Sequence, residues 1–173
     1  MDIAKATKSS DWTNASEILC RVVDRLAHLG RHLWTMDQVS MQGLKESYSL
    51  EDLHFLMLND RRIGVVFLQE SDPMFWPEIN ENDSLFVHKL ALDPTFQGKG
   101  NGIIAVSKVL RAADARGLSW LRLDCDDRSE LHRFYQQCGF DFVDLKEMPN
   151  FKVARYQLLT STGKRRQKAA RLL

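Results

Sequence analysis

The sequence predicts an α/β fold: a mixed central sheet with helices on both faces. Three observations carry that expectation. Leu85 to Leu92 alternates with apolar side chains on both of its faces, which marks a strand covered from both sides. It runs through Asp93-Pro94 into a turn holding Gly98, Gly100 and Gly102, then a helical pattern and a second apolar run, Trp120 to Cys125. Strand, turn, helix and strand make one βαβ unit, whose two strands should be parallel. On either side lie segments that read as antiparallel pairs, Leu53 to Leu58 with Ile63 to Leu68, and Phe140 to Leu145 with Phe151 to Leu159.

Taken in order, the chain opens with Ser9, Ser10 and Asp11, residue types that cap helices. Ile18, Val22, Leu26, Leu29 and Leu33 then recur at a helical interval, predicting a helix from about Thr13 to Gly30. Met36 to Ser49 is polar and interrupted by Gly43, and reads as a short second helix and a loop. Ser71 to Asp83 has two prolines, several acids and no period, so it is an exposed loop containing the aromatic pair Phe75 and Trp76. Such aromatics either line a site for a cationic group or staple the loop to the sheet. After the glycine turn, Ile103, Val106, Leu110 and Ala113 mark the buried face of a helix that Gly117 ends. Leu131, Phe134, Tyr135 and Cys138 fit a short amphipathic helix closed by Gly139. Residues 161–173, with Lys164, Arg165, Arg166, Lys168 and Arg171 and no acid, form a basic tail, disordered or helical from Arg165 onward.

With 173 residues, 44% hydrophobic and 27% charged, the chain suits one ordinary globular domain, expected over residues 1–160 ahead of the tail. A formal charge of +1 gives no general case for nucleic-acid or membrane partners. The three cysteines, Cys20, Cys125 and Cys138, show no C-x-x-C spacing, so neither a disulfide framework nor a zinc site is expected, and no metal. The N-terminus lacks an apolar leader and no run reaches membrane-span length. A cytoplasmic location is the default expectation.

The turn after the central strand is where chemistry enters. Glycines let backbone approach a ligand closely, and the helix that follows points unpaired N–H groups and its positive dipole end into the same space, which suits a phosphate or pyrophosphate. A P-loop does not fit, because Lys99 is followed by Gly100 rather than Ser or Thr. A dinucleotide fingerprint fits loosely, since the glycines fall at 98, 100 and 102, although Asp124 stands where a ribose-binding acid would. The third pattern, Gln/Arg-x-x-Gly-x-Gly/Ala, is met by Gln97, Gly100 and Gly102 and resembles the acetyl-CoA pyrophosphate loop of the GNAT N-acetyltransferase superfamily.

A second motif supports that resemblance. Leu131-x-x-Phe134-Tyr135-x-x-x-Gly139-Phe140 is similar to the GNAT motif downstream of the loop and stands at the family's usual distance. The resemblance implies a GNAT-like fold with acetyl-CoA as cosubstrate. It places the coenzyme on Leu90, Ala91, Leu92, Gln97, Gly98, Lys99, Gly100, Asn101, Gly102, Leu131 and Tyr135. It implies direct transfer of an acetyl group to a primary amine, expected to belong to a small metabolite, with Tyr135 protonating the departing thiolate and a backbone N–H near Leu90 to Leu92 stabilising the thioester oxygen. Many members carry an Asn seven positions before this Tyr; here Arg128 stands there, preceded by Asp126 and Asp127.

For the base, His88 is one candidate, acting directly or through water, with Glu70, Glu78, Glu81 and Asp83 as alternatives; a structural histidine is the plainer reading of His88. Substrate contacts are expected from Glu46, Tyr48, Trp76 and Glu78, with Gln42 a further candidate. Acids at the acceptor mouth would favour a positively charged amine. Three rivals stay open: a protein N-terminal or lysine acetyltransferase, a nucleotide-binding oxidoreductase, and a non-catalytic acyl-CoA-binding or RNA-binding module. Self-association into a homodimer is open as well.

Overall fold

The structure, a computed structural model, describes residues 1–80 and 82–171. Among these, seven strands form one mixed sheet in the order β1-β2-β3-β4-β5-β7-β6. The chain divides into two compact units, residues 1–68 with 89–105, and residues 69–88 with the part from 106 onward.

The first unit is built on β1 (Asp2–Lys5), β2 (Leu53–Leu58) and β3 (Arg61–Gln69), paired antiparallel, Ile3 opposite Leu56 and Phe55 opposite Val65. β1 was not expected. The predicted β2–β3 hairpin forms, and Asn59 and Asp60 both take positive φ at its tip, as a two-residue hairpin turn requires. α1 (Asp11–His28) starts two residues earlier than the pattern implied. The reason is Asp11, whose buried carboxylate accepts from the N–H groups of Thr7 and Lys8 and pairs with Arg62 at 2.7 Å. Trp12, Ala15, Leu19 and Val22, spaced at helical intervals, pack with Phe55, Val65 and Phe67 into the core of this unit. Residues 36–49 hold two helices rather than one, α2 (Met36–Val39) and α3 (Met41–Ser47), because Thr35 with Gln38 makes a capping box and Ser40 caps a second start.

In the second unit the first half of β4 (Ser84–Leu92) pairs parallel with β5 (Trp120–Asp126), Ser84 opposite Trp120 through Val87 opposite Leu123. β7 (Lys152–Leu159) pairs antiparallel with β6 (Asp141–Glu147), as expected, and on its other side with β5, a pairing that was not expected. α4 (Asn101–Ala115) follows the glycine turn and α5 (Ser129–Gln137) follows β5. Ile103 and Ile104 are exposed, so the buried face of α4 is Ala105, Val106, Val109 and Ala113, and Ile103 does not belong to it. The basic tail is helical from Ser161, four residues earlier than the helical alternative: α6 (Ser161–Ala170). Thr160 caps it, its hydroxyl donating to the Leu118 carbonyl at 2.6 Å and accepting from Gly163 N, while Thr162 N donates to Asp114.

Candidate active site

The turn between β4 and α4 lies in the first unit and is fixed from inside by polar side chains. Asp93 accepts from Thr95 N and Oγ1 through one carboxylate oxygen and from Arg21 Nε at 2.7 Å through the other. Burial works to raise the Asp93 pKa, but the Thr95 hydrogen bonds and the Arg21 charge outweigh it and hold the carboxyl below the usual range. Gln97 Nε2 donates to Leu92 O at 2.8 Å, Asn101 Nδ2 to Phe96 O at 2.9 Å, and Lys99 Nζ to Thr95 O at 3.0 Å. These bonds occupy the side chains of Gln97, Lys99 and Asn101 with the loop's own carbonyls, so anion binding at the turn would fall to its backbone N–H groups.

Gly98 and Gly100 have φ of 72° and 75°, and a Cβ at either would meet nothing within 4 Å. The glycines are needed for their backbone conformation, and the space beside them is open. Upstream, Lys89 has φ of 48°, uncommon for a residue with a side chain, and interrupts the pleat just before Leu90, Ala91 and Leu92. At the same level a Cβ at Gly64 would run into the Ala91 carbonyl oxygen. A strand bent here re-aims its backbone groups, which is the feature a thioester oxygen site would use.

Tyr135, in the second unit, is half-buried on α5 with its ring against Phe134, Phe140 and Tyr156. Burial above all, then the neighbouring Cys125 and Asp124, push the phenol far above its usual pKa, so it stays protonated. Leu131 lies in the first turn of the same helix, and Arg128 pairs with Asp126 at 2.7 Å. One arrangement escaped sequence reasoning: His132 Nε2 lies 2.7 Å from Asp127, and its other ring nitrogen contacts the buried Tyr156 hydroxyl, which ties α5 to β7 beside Tyr135. Residues at this separation along a chain carry no periodic signal that would unite them.

The loop after β3 places the remaining candidates. Trp76 is buried, as the loop-stapling alternative has it, with the Arg155 guanidinium over its ring at 4.5 Å. Arg155 is bidentate to Asp144, binds Glu78, and donates to Phe75 O at 2.9 Å, so Trp76 and Glu78 anchor this loop to β7. Glu70 pairs with Arg116 and Asp83 with Arg122; Glu81 lies outside the described residues. His88 Nε2 is 3.9 Å from Asp72 Oδ2, and a ring nitrogen of His88 and one carboxylate oxygen each of Asp72 and Asp124 all lie within 4.8 Å of one another. Asp72 had not been singled out. Its side chain is 5% exposed, and its Oδ2 has no hydrogen-bond partner among the described residues. In the first unit, Glu46 accepts from Gln42 on the surface of α3, and Tyr48 stacks on Phe67 with centroids 4.2 Å apart.

Comparison with known proteins gives three findings. The model of the acetyltransferase (GNAT) family matches residues 23–140. An uncharacterized N-acetyltransferase of Bacillus subtilis, YesJ, is 25% identical over 152 residues, covering 77% of this chain and 78% of that one. Among solved structures, the aminoglycoside acetyltransferase AAC(6')-Ib in complex with coenzyme A superposes with a TM-score of 0.72 at 17% identity, over 96% of this chain and 98% of that one. The ribosomal-protein-S18-alanine N-acetyltransferase of Escherichia coli superposes with a TM-score of 0.63 at 15% identity, over 92% and 93%. At these identities the structural likeness speaks for the fold.

Proposed function

Since the chain belongs to the GNAT family of acetyl-CoA-dependent N-acetyltransferases, we propose that it transfers an acetyl group from acetyl-CoA directly to the primary amine of a small cationic metabolite. The nucleotide-dependent oxidoreductase reading falls with family membership. The observation that carries the acceptor class is the cluster of Asp72, His88 and Asp124, which offers two carboxylates and an imidazole.

In this reading the backbone N–H groups at Gly98 to Gly102 hold the diphosphate, aided by the N-terminal dipole of α4. A backbone N–H among Leu90, Ala91 and Leu92 takes the thioester oxygen as charge builds on it. The amine arrives as an ammonium and has no lone pair until it loses a proton, which His88 accepts directly or through water. Its nitrogen then forms the C–N bond as the C–S bond breaks. The nitrogen loses a second proton as the amide forms, and Tyr135 gives its proton to the departing sulfur. Tyr135 is reprotonated, so the balance is one proton released to solvent. Positioning of the two substrates contributes about 7–11 kcal/mol of the barrier reduction in such reactions.

The test is thiol release from acetyl-CoA over a panel of amines, with the product identified by mass. Turnover with small cationic amines is the expected result; modification of protein N-termini or lysines alone, seen by mass spectrometry of cellular proteins with and without the enzyme, would move the acceptor to proteins.

A further inference from the structure

A reacting amine needs one proton acceptor, and the second unit offers three acceptor atoms in one place, on Asp72, His88 and Asp124. Most of the loop's described acids have cationic partners: Glu70 has Arg116, Glu78 has Arg155 and Asp83 has Arg122. Asp72 differs. One of its oxygens accepts from Phe75 N at 3.0 Å, while Oδ2 is buried with no hydrogen-bond partner among the described residues and lies 3.9 Å from His88 Nε2, in the cluster that Asp124 completes. A buried carboxylate oxygen without a donor is costly, so a positive donor in the bound complex would recover that cost.

The spacing distinguishes the kinds of cation. An ammonium nitrogen donating at about 2.7–2.9 Å along tetrahedral directions holds its acceptors about 4.4–4.7 Å apart. A tetrahedral divalent metal at about 2.0–2.2 Å from its ligands holds them about 3.3–3.6 Å apart. The His88–Asp72 pair, at 3.9 Å, lies beyond the metal's span and short of the ammonium's, and the 4.8 Å that bounds the group leaves room for an ammonium between the two carboxylates.

We propose that Asp72 and Asp124 together seat a second, non-reacting ammonium of the acceptor, so that the substrate class is a diamine or polyamine. This rests on the acetyl-transfer reading, in which His88 serves the amine that reacts. The second ammonium bridges the two carboxylates and supplies the donor that Asp72 Oδ2 lacks.

The experiment compares putrescine, cadaverine and spermidine with n-butylamine, first as binding by calorimetry to the full chain in the presence of coenzyme A, then as thiol release from acetyl-CoA. The best di- or polyamine should bind at least tenfold tighter than the monoamine, about 1.4 kcal/mol. That ratio should fall below threefold in Asp72→Asn and in Asp124→Asn, with a thermal shift by acetyl-CoA showing that each variant is folded; either folded variant suffices for the reading. Equal binding of monoamine and polyamines by the wild-type chain would overturn the proposal, as would tight binding of one zinc ion per chain that Asp72→Asn abolishes. A chain that prefers the polyamines yet releases no thiol with any amine contradicts acetyl transfer and leaves the ammonium seat standing. One that turns over monoamine and polyamines alike contradicts the seat alone.

Discussion

Tyr135 combines two properties that a proton donor to a thiolate needs. Burial, reinforced by Cys125 and Asp124, raises its pKa, so the phenol is protonated at any working pH, and its ring is locked among three aromatic neighbours. Tyr135→Phe preserves the ring contacts and removes the proton. It should lower kcat by about 10²-fold or more while leaving the acetyl-CoA dissociation constant within about threefold, read by steady-state kinetics and calorimetry. Asp11 is the residue to watch for stability. Burial opposes its ionisation, but the Thr7 and Lys8 amides and Arg62 outweigh that and lower its pKa. A carboxyl depressed in the folded state contributes stability above its unfolded pKa, near the ordinary 3.8, and loses it as pH falls through the folded value. Asp11→Ala should therefore cost about 2–3 kcal/mol in urea unfolding at neutral pH, with the difference from wild type shrinking as pH falls below about 4.

At the scale of an element, the β4–α4 turn concentrates the requirements. Its side chains are spent holding its shape, and its two glycines at positive φ leave open space beside the backbone. Gly100→Val puts a β-branched residue at a φ of 75° and should weaken acetyl-CoA binding at least tenfold, measured by calorimetry on protein whose thermal unfolding is still cooperative. α6 shows a different dependence, on one buried hydroxyl. Thr160 caps the helix and bonds the Leu118 carbonyl, so Thr160→Ala should cost about 0.5–2 kcal/mol in chemical denaturation. α6 was readable only as one of two alternatives, because its residues are polar on nearly every side and no apolar stripe announces a helix. What starts it is the Thr160 cap and the Asp114 acceptor, contacts between segments far apart in the chain. β1 was unreadable for a related reason: four residues carry too little alternation, and only its register against β2 defines it.

For the molecule as a whole, the long elements were legible, since the apolar runs of β2 and β3, the alternation of β4 and β7 and the glycine turn each leave a local pattern. The candidate residues were legible in part. The turn and Tyr135 belong to contiguous motifs, whereas Asp72 shows itself only through burial and a carboxylate oxygen lacking a donor, neither of which spacing encodes. For Trp76 the sequence left a substrate contact and a loop staple open, and Glu78 read as an exposed acid; what gathers both is Arg155, nearly eighty residues downstream. At a hundredfold excess over its dissociation constant acetyl-CoA should add about 2.7 kcal/mol to the stability of the chain. The most direct test of the central claim, that main-chain amides at the turn hold the diphosphate of acetyl-CoA, is a calorimetric titration of coenzyme A into the wild-type chain and its Gly100→Glu variant. Saturable one-to-one binding by the wild type and its loss in the variant, where a carboxylate is set beside the turn, is the expected result; undiminished binding by the variant would rule out an amide-held diphosphate.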